Sequence, residues 1–205
     1  VALSCALAIA NLIIAIIIYR KWKLAANIFL CIGVLVGAIA DIMMDIHFIV
    51  GAILFAVGHI LYMISLYLTS KFKLKELFFI ILALIISIFV IFLPFVDLGN
   101  FTFLVVLYAI ILSLMFAKCV NNYVFNSKRS SRYAIMAIAG FLFYLSDMML
   151  LFYFFKGGDI TFHTLCLLLY YPAQIMFAVS LLYPLRRIKK PKDDPNKLKT
   201  LDDLK

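Results

Sequence analysis

Seven long apolar runs follow one another along the chain, at roughly 1–19, 24–46, 47–69, 77–95, 101–118, 133–155 and 161–184, with polar residues gathered between them. Each run is close to the ~20 residues that carry an α-helix across ~30 Å of hydrocarbon. A chain in lipid must satisfy its own backbone hydrogen bonds, so it spans as helices or as a closed barrel, and barrel strands alternate apolar and polar residues. The pattern therefore predicts an all-α, polytopic bundle of seven transmembrane helices. The second and third runs are separated only around Asp45 to His47, which predicts a tight helical hairpin.

Composition agrees with this reading. The 205 residues are 67% hydrophobic and 14% charged, and the mean hydropathy is +1.14. A soluble domain is nearer half apolar and a quarter charged. The balance excludes an ordinary cytosolic enzyme, a disordered chain and a nucleic-acid-binding domain.

The basic residues add an orientation. Arg20, Lys21 and Lys23 fall in the first connection, and Lys71, Lys73 and Lys75 in the third. Lys118, Lys128, Arg129 and Arg132 surround the fifth, whereas the second and fourth have none and the sixth has only Lys156. By the positive-inside rule the odd connections and the C-terminus face the cytoplasm and the N-terminus lies outside. The net charge of +9 is then topology signal and contact with anionic headgroups. Residues 1–185 are expected to form one transmembrane domain in the cell membrane, and 186–205 a basic cytoplasmic tail. The chain starts at Val1, which suggests a processed or missing leading segment. Cys5, Cys31, Cys119 and Cys166 are scattered, form no CxxC pair, and read as small buried apolar residues.

Against so apolar a background, the polar residues inside the runs carry the chemistry, because ionisable groups in hydrocarbon face a protein interior or a wet cavity. They are Asp41 and Asp45 in the second helix, His59 in the third, Asp147 in the sixth and Gln174 in the seventh. Asn11, Tyr62, Ser65, Ser146, Tyr170 and Tyr171 are lesser members. At ~1.5 Å per residue these groups lie ~8–20 Å from the outer ends of their helices, within reach of one cavity in the middle-to-outer bundle. Asp41 and Asp45 share a face. Phe48, Gly51, Phe55, His59 and Tyr62 form one stripe, which lets His59 and Tyr62 point together at the second helix. Gly140, Phe143, Asp147, Leu150 and Phe154 form another. The predicted cavity has carboxylates, an imidazole, an amide and phenols, with Phe and Leu walls suited to an acyl or alkenyl chain. Gly33 and Gly37 form a GxxxG that predicts close helix packing.

Three blocks carry a resemblance. ADIMMDIHFIVGAILFAVGHILYMISLY resembles the GDxxL…FxxGxxxFxxxHxxY region of the YhhN family of lysoplasmalogenase-like membrane proteins. GFLFYLSDMMLLFYFF resembles that family's second acidic helix, and LYYPAQIMFAVSLL its last helix. The matching positions are Asp41, Gly51, Phe55, His59, Tyr62, Ser146, Asp147, Tyr171, Gln174 and Ser180. Ala40 stands where the family has Gly, and Pro172 where it has a small residue. Members commonly have eight spans, against seven counted here.

The resemblance implies hydrolysis of the vinyl ether bond of a lysoplasmalogen, a lysophospholipid, to a fatty aldehyde and a glycerophospho-headgroup product. Such chemistry needs a proton delivered to the alkene β-carbon, followed by water addition to the oxocarbenium ion, and no cofactor. Asp41 and Asp147 are expected to share the acid and base roles, with neither role assigned to either one, and His59 is expected to orient a carboxylate or water. Tyr62, Ser146, Tyr171, Gln174 and Asp45 are the expected substrate-binding residues. Two other readings compete. One is a non-enzymatic transporter or binding protein for a lipid or small molecule, since intramembrane Asp residues also relay protons or ions. The other is a zinc-dependent lipid amidase using His47, His59, His163 and an Asp. A retinal protein is excluded by the lack of a Lys between Phe162 and Tyr183.

Overall fold

The apolar runs become helices because only intrahelical bonding satisfies a backbone surrounded by hydrocarbon. The computed structural model describes residues 2–18, 24–94, 96–126 and 130–183. All regular structure among them is helical: α1 (Ala2–Ile18), α2 (Leu24–Ile46), α3 (Phe48–Thr69), α4 (Glu76–Ile91), α5 (Thr102–Asn126), α6 (Ser131–Phe155) and α7 (Ile160–Ser180), with one 3-10 turn at Gly99–Phe101. Of these, α2, α3, α5, α6 and α7 are long and apolar enough to cross a membrane, whereas α1 and α4 are shorter. The chain is an integral membrane protein. Arg20, Lys21, Lys23, Lys128, Arg129 and the tail 186–205 lie outside the described residues, so most of the orientation signal does too.

The predicted hairpin is present, and His47 alone separates α2 from α3. His47 takes an extended conformation. Its N–H donates to the Met43 carbonyl at 2.7 Å, and its own carbonyl accepts from the Gly51 N–H at 3.0 Å. A second hairpin joins α6 to α7. α1 packs on α2 and α7, α4 lies mainly against α5, and α5 closes the bundle against α3 and α6. α7 continues unbroken through Pro172.

Lipid tails are as apolar as Leu, so these helices associate through close packing rather than hydrophobic exclusion of water. The small residues sit accordingly. A Cβ at Gly33 would meet the Tyr62 ring at 2.5 Å, and one at Gly37 would collide with the Gln174 amide. The GxxxG stripe is thus consumed inside the chain. At Gly51 a Cβ would fall 2.6 Å from the backbone N and Cα of Met44, across the α2–α3 hairpin. Backbone there has little room to yield. Gly51→Ala is therefore expected to lower stability by about 1–3 kcal/mol. An unfolding midpoint in detergent equal to that of the wild type would contradict the clash.

Three helix limits differ clearly from the sequence reading, one of them in α7, which ends at Ser180 rather than near 184. α4 ends at Ile91 rather than near 95. α5, expected to stop at 118, continues to Asn126, two further turns. Lys118 looked like the end of a span. It is instead fully buried and paired with Glu76, so nothing forces the helix to stop.

Candidate functional site

The C-terminal half of α2 lies across from the C-terminal half of α6 and the N-terminal half of α7, and polar side chains from all three meet in a cavity of about 150 Å³. Asp41 and Asp45 enter from α2, Ser146 and Asp147 from α6, and His163, Cys166, Tyr170 and Tyr171 from α7. Phe55, Met44, Leu150 and Leu167 complete the wall. The i,i+4 spacing of Asp41 and Asp45 puts both on the α2 face turned toward α7. Asp45, Tyr171 and Pro172 are exposed, whereas Asp41 is half-buried and Asp147 is 8% exposed.

Asp147 has the densest environment. Tyr108 of α5 donates its hydroxyl hydrogen to Asp147 Oδ2 at 2.6 Å. His59 Nε2 stands 3.3 Å from the same oxygen, out of line for a hydrogen bond. The imidazole, 1% exposed, is anchored from its other side, where Nδ1 donates to the Phe55 carbonyl at 2.7 Å. A carbonyl only accepts, so Nδ1 carries a hydrogen and Nε2 is the nitrogen turned to the carboxyl. Edge contacts from Phe143 at 4.7 Å and Tyr108 at 5.5 Å hold the ring. His59 therefore faces α6, not α2 as its stripe suggested.

Asp147 also lines a second cavity, of about 60 Å³. This one is almost entirely apolar, walled by Phe48, Leu104, Val105, Leu151, Phe154 and Phe155. Met44, Asp147 and Leu150 are common to both cavities. One carboxyl group thus stands between a polar chamber and an apolar slot.

Tyr62 and Gln174 line neither cavity. They form a buried chain behind the wall: Tyr62 donates to Gln174 Oε1 at 2.7 Å, Gln174 Nε2 donates to the Tyr170 hydroxyl at 2.8 Å, and Tyr170 donates to the Gly37 carbonyl at 3.3 Å. Tyr62 is stacked on Phe177 at 4.5 Å. Tyr170 lies against Asp41, whose Oδ2 is buried without a partner. The chain fixes the phenol that faces Asp41. Ser146 Oγ is 3.4 Å from Cys166 Sγ. His47 and His59 lie outside the polar cavity that His163 lines, and among the described residues no three His, Cys, Asp or Glu side chains gather as a metal-binding group. Asp159 is the N-cap of α7, accepting from the Thr161 N–H at 2.8 Å, and that bond holds its carboxyl below the usual range.

Tyr108 was missed from the sequence, as one of eleven tyrosines in an apolar run. A whole second polar cluster was missed at the opposite end of the bundle. Glu76, the first residue of α4, accepts from Lys118 Nζ at 3.1 Å, from Asn121 Nδ2 at 3.1 Å and from the Tyr67 hydroxyl at 2.5 Å. Lys118 also donates to the Lys71 carbonyl at 3.2 Å and sits 4.0 Å above the Tyr67 ring. Both charges are fully buried. They read as loop charges because they lie at or near the expected helix ends.

No curated protein and no solved structure matches the chain. The family model described as the YhhN family matches residues 2–181, which take in all seven helices and every side chain of the cavity. By that match the chain belongs to the YhhN family.

Proposed function

We propose that the chain hydrolyses the vinyl ether bond of a lysoplasmalogen within the membrane. The observation that carries this reading is the position of Asp147 between a polar chamber and an apolar slot. A lysoplasmalogen has the same division: an alkenyl chain on one side of the reactive bond and a glycerophospho headgroup on the other. With the chain in the slot and the headgroup toward Asp45, Tyr171 and His163, the vinyl ether lies beside Asp147, inside the chamber that Asp41 also lines.

Asp41, whose Oδ2 is unpartnered, takes the part of the acid and delivers a proton to the alkene β-carbon. The ether oxygen shares the resulting positive charge as an oxocarbenium ion. Asp147, a carboxylate held by the Tyr108 hydroxyl, stabilises that cation and takes a proton from the attacking water. The hemiacetal then collapses. Its hydroxyl proton returns to Asp41, Asp147 protonates the departing glycerol oxygen, and both groups are reset. His59, pinned through Nδ1 to the Phe55 carbonyl, closes the side of the site beside Asp147. The net reaction consumes one water and releases a fatty aldehyde and a glycerophospho alcohol, with no cofactor required.

The same reading gives the bundle seven crossings in the cell membrane, α1 and α4 being short spans, with the end that carries Lys71, Lys73 and Lys75 in the cytoplasm.

Purified protein incubated with a 1-alkenyl lysophospholipid in D2O should release an aldehyde bearing one deuterium on the carbon next to the carbonyl, seen by mass spectrometry. Release of aldehyde without that deuterium would exclude protonation at the β-carbon. No aldehyde from any headgroup or chain length would favour a lipid-binding or transport role instead.

A further inference from the structure

Arg132 stands in the first turn of α6, at the end of the bundle that carries Lys71, Lys73 and Lys75, and is 3% exposed. Its Nη1 donates to Asn27 Oδ1 of α2 at 2.8 Å. Its Nε and Nη2 are buried and have no hydrogen-bond partner. These two nitrogens form one edge of the guanidinium, the edge that grips a carboxylate or phosphate with two parallel hydrogen bonds. Among the described residues no carboxylate pairs with Arg132. A guanidinium left in this state, with its strongest donor pair unused, is expensive to bury.

The surroundings favour an anion. Arg132 is the second residue of a helix of 25 residues, where the unpaired N–H groups and the helix dipole present positive charge. Ser130 caps that helix by accepting from the Arg132 N–H at 3.1 Å. The first turn of a spanning helix also lies at the level of the lipid phosphates.

We propose that the Nε–Nη2 edge of Arg132 binds a phosphoryl oxyanion, either the phosphodiester of a bilayer lipid or free phosphate. The site is remote from the Asp41–Asp147 cavity, at the other end of α6, and does not depend on the hydrolase reading. Asn27 sets the guanidinium plane by holding Nη1, and the bound phosphate neutralises a charge that no described side chain neutralises.

The test is thermal unfolding of the full chain in dodecyl maltoside, followed by circular dichroism, with four additions: palmitoyl-oleoyl phosphatidylglycerol, the matching diacylglycerol, inorganic phosphate, and chloride at equal ionic strength. Phosphatidylglycerol should raise the midpoint by several degrees and diacylglycerol should not. A matching rise with inorganic phosphate, absent with chloride, assigns the site to free phosphate as well, and its absence assigns it to the lipid headgroup. Arg132→Gln should abolish the rise, and Arg132→Lys, a point charge without the fork, should keep a minor part. Asn27→Asp gives the guanidinium its own carboxylate, so it should raise the additive-free midpoint and the phosphate concentration for half-maximal effect by about tenfold. This variant decides the matter if Arg132→Gln does not fold. A wild-type midpoint unmoved by both phosphate-bearing additions, a full rise retained in Arg132→Gln, or an Asn27→Asp response equal to that of the wild type would each overturn the proposal.

Discussion

Asp147→Asn should lower aldehyde release from a lysoplasmalogen by about 10²–10⁴-fold, the usual range for loss of a positioned acid–base group. The substitution keeps the volume of the side chain between the two cavities, and the amide oxygen still accepts from Tyr108. It removes only the negative charge and the ability to take a proton from water. Binding of the alkenyl chain in the apolar slot should persist, so kcat should fall with KM little changed. The unfolding midpoint in detergent separates this from misfolding. A folded Asp147→Asn protein that turns over within tenfold of the wild type would sink the two-carboxylate mechanism. It would leave the slot and chamber as a binding site only.

Lys118→Met should cost about 3–5 kcal/mol of stability, because Glu76 would be left fully buried without the one cationic partner it has among the described residues. The ring of Tyr67 would keep contact with the Met side chain, so packing loss is minor. Glu76→Gln combined with Lys118→Met should recover most of the loss, since replacing both charges of a buried pair is often neutral or stabilising. Chemical unfolding of the two variants side by side makes the comparison. If the single variant were as stable as the wild type, the pair would contribute nothing beyond its packing.

Much of the bundle was legible because lipid makes polar residues conspicuous. Seven apolar runs marked seven helices, and the absence of any spacer at His47 marked the hairpin. Asp41, Asp45, Ser146, Asp147 and Tyr171 stood out for the same reason, and they do line one cavity. Periodicity has a definite reach, however. It places His59 and Tyr62 on one face of α3 without saying which neighbour that face meets. His59 meets α6 and α5, while Tyr62 crosses to α7.

What stayed hidden has a common cause. Glu76, Lys118 and Arg132 sit within a turn or two of helix ends, where a charge normally reaches water. Sequence gives no sign that α5 continues past Lys118, or that α4 and α6 turn Glu76 and Arg132 inward. Burial at such places comes from a partner on another helix: Lys118 for Glu76, and Asn27 for Arg132. Tyr108 was invisible for the opposite reason. A phenol in an apolar helix looks like bulk until a carboxylate is found 2.6 Å away.

The one-residue link at His47 bears on how the two sides of the polar chamber are held. Hydrogen bonds carry from Met43 through His47 to Gly51 without a break, and Gly51 leaves no gap beside Met44. α2 and α3 are therefore packed as one tight hairpin. α6 and α7 are tied differently, through Gly157 and Gly158 in left-handed conformations that only glycine adopts readily. The polar chamber lies on the seam between these two hairpins. Asp41 stands on the first hairpin and Asp147 on the second, so the distance between the two carboxyl groups is set by the packing across that seam.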